Sequence, residues 1–349
     1  MFNRSVILAI VTALCAGLAQ AEAFPSKPVR IVNPYPISGP TDIRGTARMT
    51  KTYKVIAQHT PPAISDTLAA LVTQSIRSGS SQPVLLERQP GGITTRGALI
   101  VARSAPDGHT LLLASNATMI IIPNYFHGVE YDLMRNFVLV APLVTMPFVL
   151  MVNSSLPVDN ARQLSAWLKV RPGEINYGSS GDGSTGHLAG ELLRRAIGVK
   201  VVHVSYNGGL AALNGVATGQ VSFMFAALPL ALPYMSHESL QALGITGAKR
   251  FAALPELPTL SEAGFPDFDI EAWYGVFAHA RTPAASIVWL NEQIATAFAT
   301  PATRSHLVAL GLEPATVSLG QFATRINTEA ERWAPLLRAS RLPPRDRAS

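Results

Sequence analysis

With 349 residues, 48% of them hydrophobic, the chain can bury a large core and is long enough for two domains. Its formal charge of +6 comes mostly from scattered arginines, and only 7% of residues are aromatic. Nucleic-acid binding, which needs cations gathered on one face with stacking rings among them, is therefore set aside. The single cysteine, Cys15, sits in the N-terminal apolar run, so the rest of the chain has no disulfide, thiolate nucleophile or cysteine metal ligand.

The N-terminus has the layout of an export signal. Met1 to Arg4 is short and basic, Val6 to Ala19 is apolar, and Ala19-Gln20-Ala21 or Ala21-Glu22-Ala23 supplies a small-x-small cleavage site. The apolar run is shorter than the ~20 residues a spanning helix needs. Residues 1–23 are expected to be a cleaved signal peptide and the mature protein periplasmic. Beyond the leader, β-branched runs predict strands at Val29–Asn33, Pro83–Glu87, His109–Ser115, Phe148–Asn153, Ile175–Ser179, Val201–Ser205 and Val221–Phe225. Amphipathic stretches predict helices at Asp66–Arg77, Thr94–Arg103, Ala161–Lys169, His187–Ile197, Leu210–Thr218, Ala284–Ala299 and Leu319–Leu337. The alternation implies α/β architecture with parallel strands. Ile43 to Ser65, basic and without acidic residues, reads equally as an extended flap, a short extra helix or a disordered loop.

Gly181-x-Gly183-x-x-Gly186 has the spacing of a dinucleotide fingerprint. The strand after it, Val201 to Tyr206, ends without the carboxylate that would hold a ribose, so a nicotinamide site is not expected. Glycines and small hydroxyl residues before a helix do, however, aim N–H groups and the positive helix end at a common point. Ser179, Ser180, Ser184 and Thr185 add hydroxyls there. Small polar turns also follow other strands: Tyr35 to Asp42, Ser115 to Thr118, and Tyr206 to Gly209. Carboxyl ends of strands are where open α/β sheets place ligands, so the pattern points to an uncharged cradle for an anion.

Catalytic patterns are thin. Neither Ser180 nor Ser184 has the flanking glycines of a nucleophile elbow. His59, His109, His127, His187, His203, His237, His279 and His306 form no pair at metal-ligand spacing. His187 reads as a surface or capping residue, and Trp273-Tyr274 as pocket lining or core in equal measure. No catalytic residue, metal or cofactor is expected; an exported serine hydrolase using Ser180 or Ser184 is the remaining enzymatic alternative.

The ordered set FPSKPVRIVNPYPISGPTD, QPVLLERQPGG, APDGHTLLLASNAT, NYGSSGDGSTGHLAGELL, VVHVSYNGG, GQVSFMFAALPLALPY, LPELPTLSEAGFPDF and WYGVFA resembles the Bug-type solute receptors of tripartite tricarboxylate transporters. The resemblance covers nearly all of the mature chain. It implies a two-lobed periplasmic binding protein (Venus-flytrap) fold, with lobe I from residues 24–140 and 247–349, lobe II from 141–246, and a ligand cleft between them. It further implies a small carboxylate as ligand (a dicarboxylate, acidic amino acid or aromatic acid), membrane permease subunits as partners, and a monomer. A ligand sensor signalling to a membrane-bound kinase is the alternative.

Carried over motif by motif, the pocket comprises Tyr35, Pro36, Gly39, Thr41, Asp42, Ser115 and Asn116 from lobe I. Lobe II contributes Ser179, Ser180, Gly183, Ser184, Thr185, Tyr206 and Gly208. Three departures stand out. Pro40 replaces a glycine and removes an N–H. Ser65-Asp66, rather than Thr41-Asp42, leads directly into a helix. Phe225-Ala226-Ala227 stands where the family often has Phe-Asp-Asn, which implies less polar ligands.

Overall fold

A computed structural model of the protein describes residues 24–35, 64–266 and 268–339. The expected leader, the segment from Ile43 to Ala63, and the site candidates Pro36, Gly39, Thr41 and Asp42 lie outside the described residues. Among the described residues no helix is long and apolar enough to cross a membrane.

The strands are β1 (Val29–Asn33), β2 (Val84–Arg88), β3 (Thr110–Ser115), β4 (Phe137–Asn153), β5 (Asn176–Ser179), β6 (Val202–Ser205), β7 (Phe223–Ala227), β8 (Leu240–Ile245), β9 (Glu271–His279) and β10 (Glu313–Pro314). The helices of eight or more residues are α1 (Ile64–Gly79), α2 (Thr95–Ala102), α3 (Ala161–Lys169), α4 (Thr185–Ile197), α5 (Gly209–Ala217), α6 (Ala284–Ala299), α7 (Pro301–Ala309) and α8 (Leu319–Ala339). The expected alternation of strands and helices is therefore present, with most boundaries within two residues.

One half of the sheet runs β2-β1-β3-β9-β4, parallel where β1 meets β2 and β3, antiparallel at β9, with β10 on β4. The other half continues β4-β7-β5-β6, with β8 also on β4 and β5 parallel to both β6 and β7. β4 belongs to both halves. Its residues 137–147 pair with β9, and 148–153 with β7 and β8.

Sequence periodicity predicts only the second part of β4. Pro142 and Pro147 obscure the first part, because proline cannot donate to a ladder. The structure accommodates Pro142 beside register shifts at Leu139/Ala141 and Pro142/Val144. β8, β9 and α7 were also absent from the expected set. α7 follows α6 almost without a gap: Thr300 ends α6 in an extended conformation, accepts from Thr303 N, and is followed by Pro301 at the first helical position.

α4 is the helix that positions the cleft. Asn160 caps α3 and Ser184 caps α4, whose far end closes on left-handed Gly198. Gly186 and Gly190, one turn apart, let α4 press onto the sheet. A Cβ at Gly186 would lie 2.8 Å from the Phe225 carbonyl oxygen, and one at Gly190 would lie 2.0 Å from the Tyr177 ring. Tyr177 is fully buried and has nowhere to retreat. Gly190→Leu should therefore destabilise the protein by at least ~1–3 kcal/mol. It should lower the thermal midpoint by about 2–4 °C per kcal/mol, read by circular dichroism.

Candidate functional site between the strand ends

At the carboxyl end of β1 the fully buried Asn33 turns the chain. Its Oδ1 accepts from Tyr35 N at 3.1 Å and its Nδ2 donates to Asp66 Oδ1 at 3.1 Å. Asp66, in the first turn of α1, is thereby tied to the same strand end and also pairs with Arg88. The Tyr35 hydroxyl accepts from Ser115 N and donates to Ser115 Oγ, both at 2.8 Å, and lies 3.1 Å from Thr118 Oγ1. Thr118 Oγ1 is in turn 2.9 Å from Thr94 Oγ1. Burial pushes the Tyr35 phenol above its ordinary pKa, so it remains a proton donor at neutral pH.

The backbone around this network is unusual. Ile93 and Thr94 hold left-handed φ values of 55° and 75°, and Ala117–Ile121 forms a π-helical turn directly after β3. Non-glycine left-handed residues and π-turns concentrate at functional sites because the surrounding contacts must hold them in place.

In lobe II the turn 179–184 leads into α4. Sequence reasoning expects its glycine amides to face the ligand; the structure turns two of them inward. Gly181 N donates to Ser179 Oγ at 3.2 Å and Gly183 N to His187 Nδ1 at 3.2 Å. Ser184 Oγ accepts from His187 N at 3.2 Å, so Ser184 acts as the helix cap. The donors left for an anion are the first-turn amides of Thr185 and Gly186, which have no intrahelical acceptor. Tyr206 packs its ring against Gly178 and Gly215, and its hydroxyl lies 3.5 Å from Gln220 Oε1. Gly208, at φ 99°, caps α5 and donates to Ser180 O and Tyr206 O. Ser180 is exposed. Gly183, Tyr206 and Gly208 thus shape lobe II, while Thr185 reaches across the cleft.

The two lobes meet at Asn116. Its Nδ2 donates to the Glu271 carbonyl oxygen at 3.0 Å, and its Oδ1 accepts from Thr185 Oγ1 at 3.2 Å. The Glu271 backbone is held by its own side chain. Arg325 on α8 binds Glu271 Oε2 at 2.9 Å and Glu329 Oε1 at 2.8 Å, and Glu329 accepts from the indole of Trp273 at 2.8 Å. Trp273 is core, whereas Tyr274 stands edge-on to Tyr35 at 5.7 Å.

His187 corrects the sequence reading. It is buried, not a surface residue, and its ring stacks on His203 at 3.9 Å and 9°. His203 Nε2 lies 2.7 Å from Ser179 Oγ and its Nδ1 lies 3.5 Å from Asp182 Oδ1. These three atoms follow the order of a Ser-His-Asp triad. Ser179, however, is fully buried, so a substrate carbonyl has no approach to it. No sequence signal marks the cluster, because Asp182, His187 and His203 come from a turn, a helix and a separate strand.

Burial, reinforced by the neighbouring His187 imidazole, pushes the His203 pKa down to about 4, and burial lowers that of His187 as well. An unfolded histidine takes up a proton near pH 6.5 that the folded His203 refuses. Stability is thus fully present above about pH 6.5 and falls as the pH drops towards 4. Allowing for the partial exposure of the ring, this amounts to about 2 kcal/mol. Thermal midpoints measured across that window should slope less steeply in His203→Asn than in the unaltered protein.

Comparison with known proteins accords with this geometry. A family profile, the tripartite tricarboxylate transporter family receptor, matches residues 68–342. The UPF0065 protein of the tcbD-tcbE intergenic region of Pseudomonas sp. strain P51 is 30% identical over 97% of this chain and 95% of its own length. Protein BugT of Bordetella pertussis is 28% identical over 96% of this chain and 98% of its own. Among solved structures, R. palustris Rpa4515 with adipate aligns with a TM-score of 0.73 at 26% identity, covering 91% of this chain and 98% of its own. MatC from Rhodopseudomonas palustris with bound malate aligns with a TM-score of 0.71 at 27% identity, covering 90% of this chain and all of its own. The fold is that of the two-lobed periplasmic binding proteins, and the chain belongs to the receptor family of the tripartite tricarboxylate transporters, the Bug-type solute receptors.

Proposed function

We propose that this protein captures a small carboxylate between its two lobes and delivers it to the membrane permease subunits of a tripartite tricarboxylate-type transporter. The observation that carries this reading is the meeting of uncharged polar side chains from both lobes, where Thr185 Oγ1 donates to Asn116 Oδ1 next to the Tyr35–Ser115 pair. Tyr35, Ser115 and Asn116 come from the ends of β1 and β3, and Thr185 from the start of α4. Among the described residues no lysine or arginine hydrogen-bonds to any of them. Hydroxyls and amides at a helix N-terminus hold a carboxylate without a cationic side chain, and they need little reorganisation when it arrives. Adipate and malate are held by the two structural relatives.

Closure would turn on the two crossings between lobes. We place the first at Pro147-Phe148, where β4 changes partners from β9 to β7 and β8. The second lies at Thr246-Gly247, where Phe148 N donates to Thr246 Oγ1 and Thr246 N to Phe148 O, both at 2.8 Å. The ligand acts by favouring the closed population.

Calorimetry with succinate, adipate, malate, acidic amino acids and aromatic acids tests the reading. At a hundredfold excess over Kd the bound acid should stabilise the fold by about 2.7 kcal/mol. Tyr35→Phe and Thr185→Val should each weaken binding by about 1 kcal/mol, roughly fivefold. A folded protein indifferent to every acid in the set would refute the assignment.

A further inference from the structure

The receptor reading makes no use of the cluster beneath the lobe II turn, where Asp182, His187 and His203 place donor atoms within 4.8 Å of one another. His203 Nε2 lies 2.7 Å from Ser179 Oγ, and its Nδ1 faces Asp182 Oδ1 at 3.5 Å. The imidazole carries its hydrogen on either nitrogen, and with it on Nε2 the Nδ1 lone pair is free to bind an ion beside the carboxylate.

A metal ion fits the same gap. Two ligands on a tetrahedral ion with bonds of about 2.0–2.1 Å stand roughly 3.4 Å apart, close to the 3.5 Å between Nδ1 and Oδ1. The bond from His203 Nε2 to Ser179 is the outer hydrogen bond that orients a ligating imidazole. His187 supplies the third donor. Its Nδ1 now accepts a long 3.2 Å bond from Gly183 N, and its ring must tilt out of the stack for one ion to lie in both ring planes. Asp182 is only half-buried, which leaves an approach and a fourth position for water. Two imidazole nitrogens and one carboxylate oxygen suit borderline divalent transition ions rather than magnesium or calcium. The geometry points to a binding site for a divalent transition metal of the zinc class, held by Asp182, His187 and His203 under the lobe II half of the cleft.

Calorimetry of the metal-stripped full chain with Zn²⁺ should show one equivalent bound. Asp182→Asn and His203→Gln should each weaken binding at least ~10-fold, and Ser179→Ala, which removes the orienting bond, about 10-fold. His127→Gln, at an exposed histidine elsewhere, should leave it unchanged. Co²⁺ in place of Zn²⁺ should give visible absorption bands that the Asp182→Asn protein lacks. Asp182 lies on the turn rather than in the core, so its substitution tests the site without unfolding the lobe, and metal-free melting curves verify this. Absence of stoichiometric uptake, or uptake that survives both Asp182→Asn and His203→Gln, would overturn the proposal. Neither outcome bears on carboxylate binding, which is measured separately in metal-free protein.

Discussion

A single strand holds both halves of this molecule together. β4 gives residues 137–147 to one half of the sheet and 148–153 to the other, so every hydrogen bond it makes ties the lobes to a common backbone. An extended chain of 17 residues reaches roughly 55 Å. The ladders could not remain regular over that length while the two half-sheets twist separately. The register shifts beside Leu139, Pro142 and Leu150 relieve the mismatch. Next to the change of partner, Thr246 and Phe148 exchange two hydrogen bonds, so the returning chain is fixed to the outgoing one.

That crossing sets what the cleft can be. Because β9 lies between β3 and β4, the end of β3 reaches the boundary between lobes with Ser115 opposite Tyr274 and Asn116 beside the Glu271 carbonyl. On the other side, Gly186 and Gly190 seat α4 so low on the sheet that its first turn reaches Asn116. The polar atoms are few and nearly all satisfied by one another, as burial requires. Tyr35 serves as both acceptor and donor to Ser115, and Asn116 uses both ends of its amide. Such a network is stiff, because each member is held by at least one other.

The ion pairs of Arg325 lie behind the site rather than in it. Arg325 joins Glu271 and Glu329, and Glu329 takes the Trp273 indole hydrogen, so α8 braces β9 from outside the cleft. The histidine pair is likewise set back, under the turn and against Tyr177 and Tyr125.

Much of this was legible in the chain itself. Periodicity located β1, β3, α3, α4 and α6 because each buries one face or a continuous apolar run, and such patterns are local. Turn chemistry marked Ser115 and Asn116 at the end of β3 and Thr185 at the start of α4, and the fold joins Asn116 to Thr185. The ordered motifs identified the family, and with it the two-lobed fold. What tertiary structure alone decided were relations between distant segments. The first part of β4 was hidden by prolines that only a bulged partner strand makes tolerable. The amides of Gly181 and Gly183 looked free until the fold supplied Ser179 Oγ and His187 Nδ1 as acceptors. His187 and His203 lie 16 positions apart with nothing in their spacing to join them. They stack because β5 and β6 pair in parallel while α4 packs across that face. A sequence carries the preference of each segment for a conformation; which side chains then meet is settled by packing, through contacts between residues that the chain itself keeps far apart.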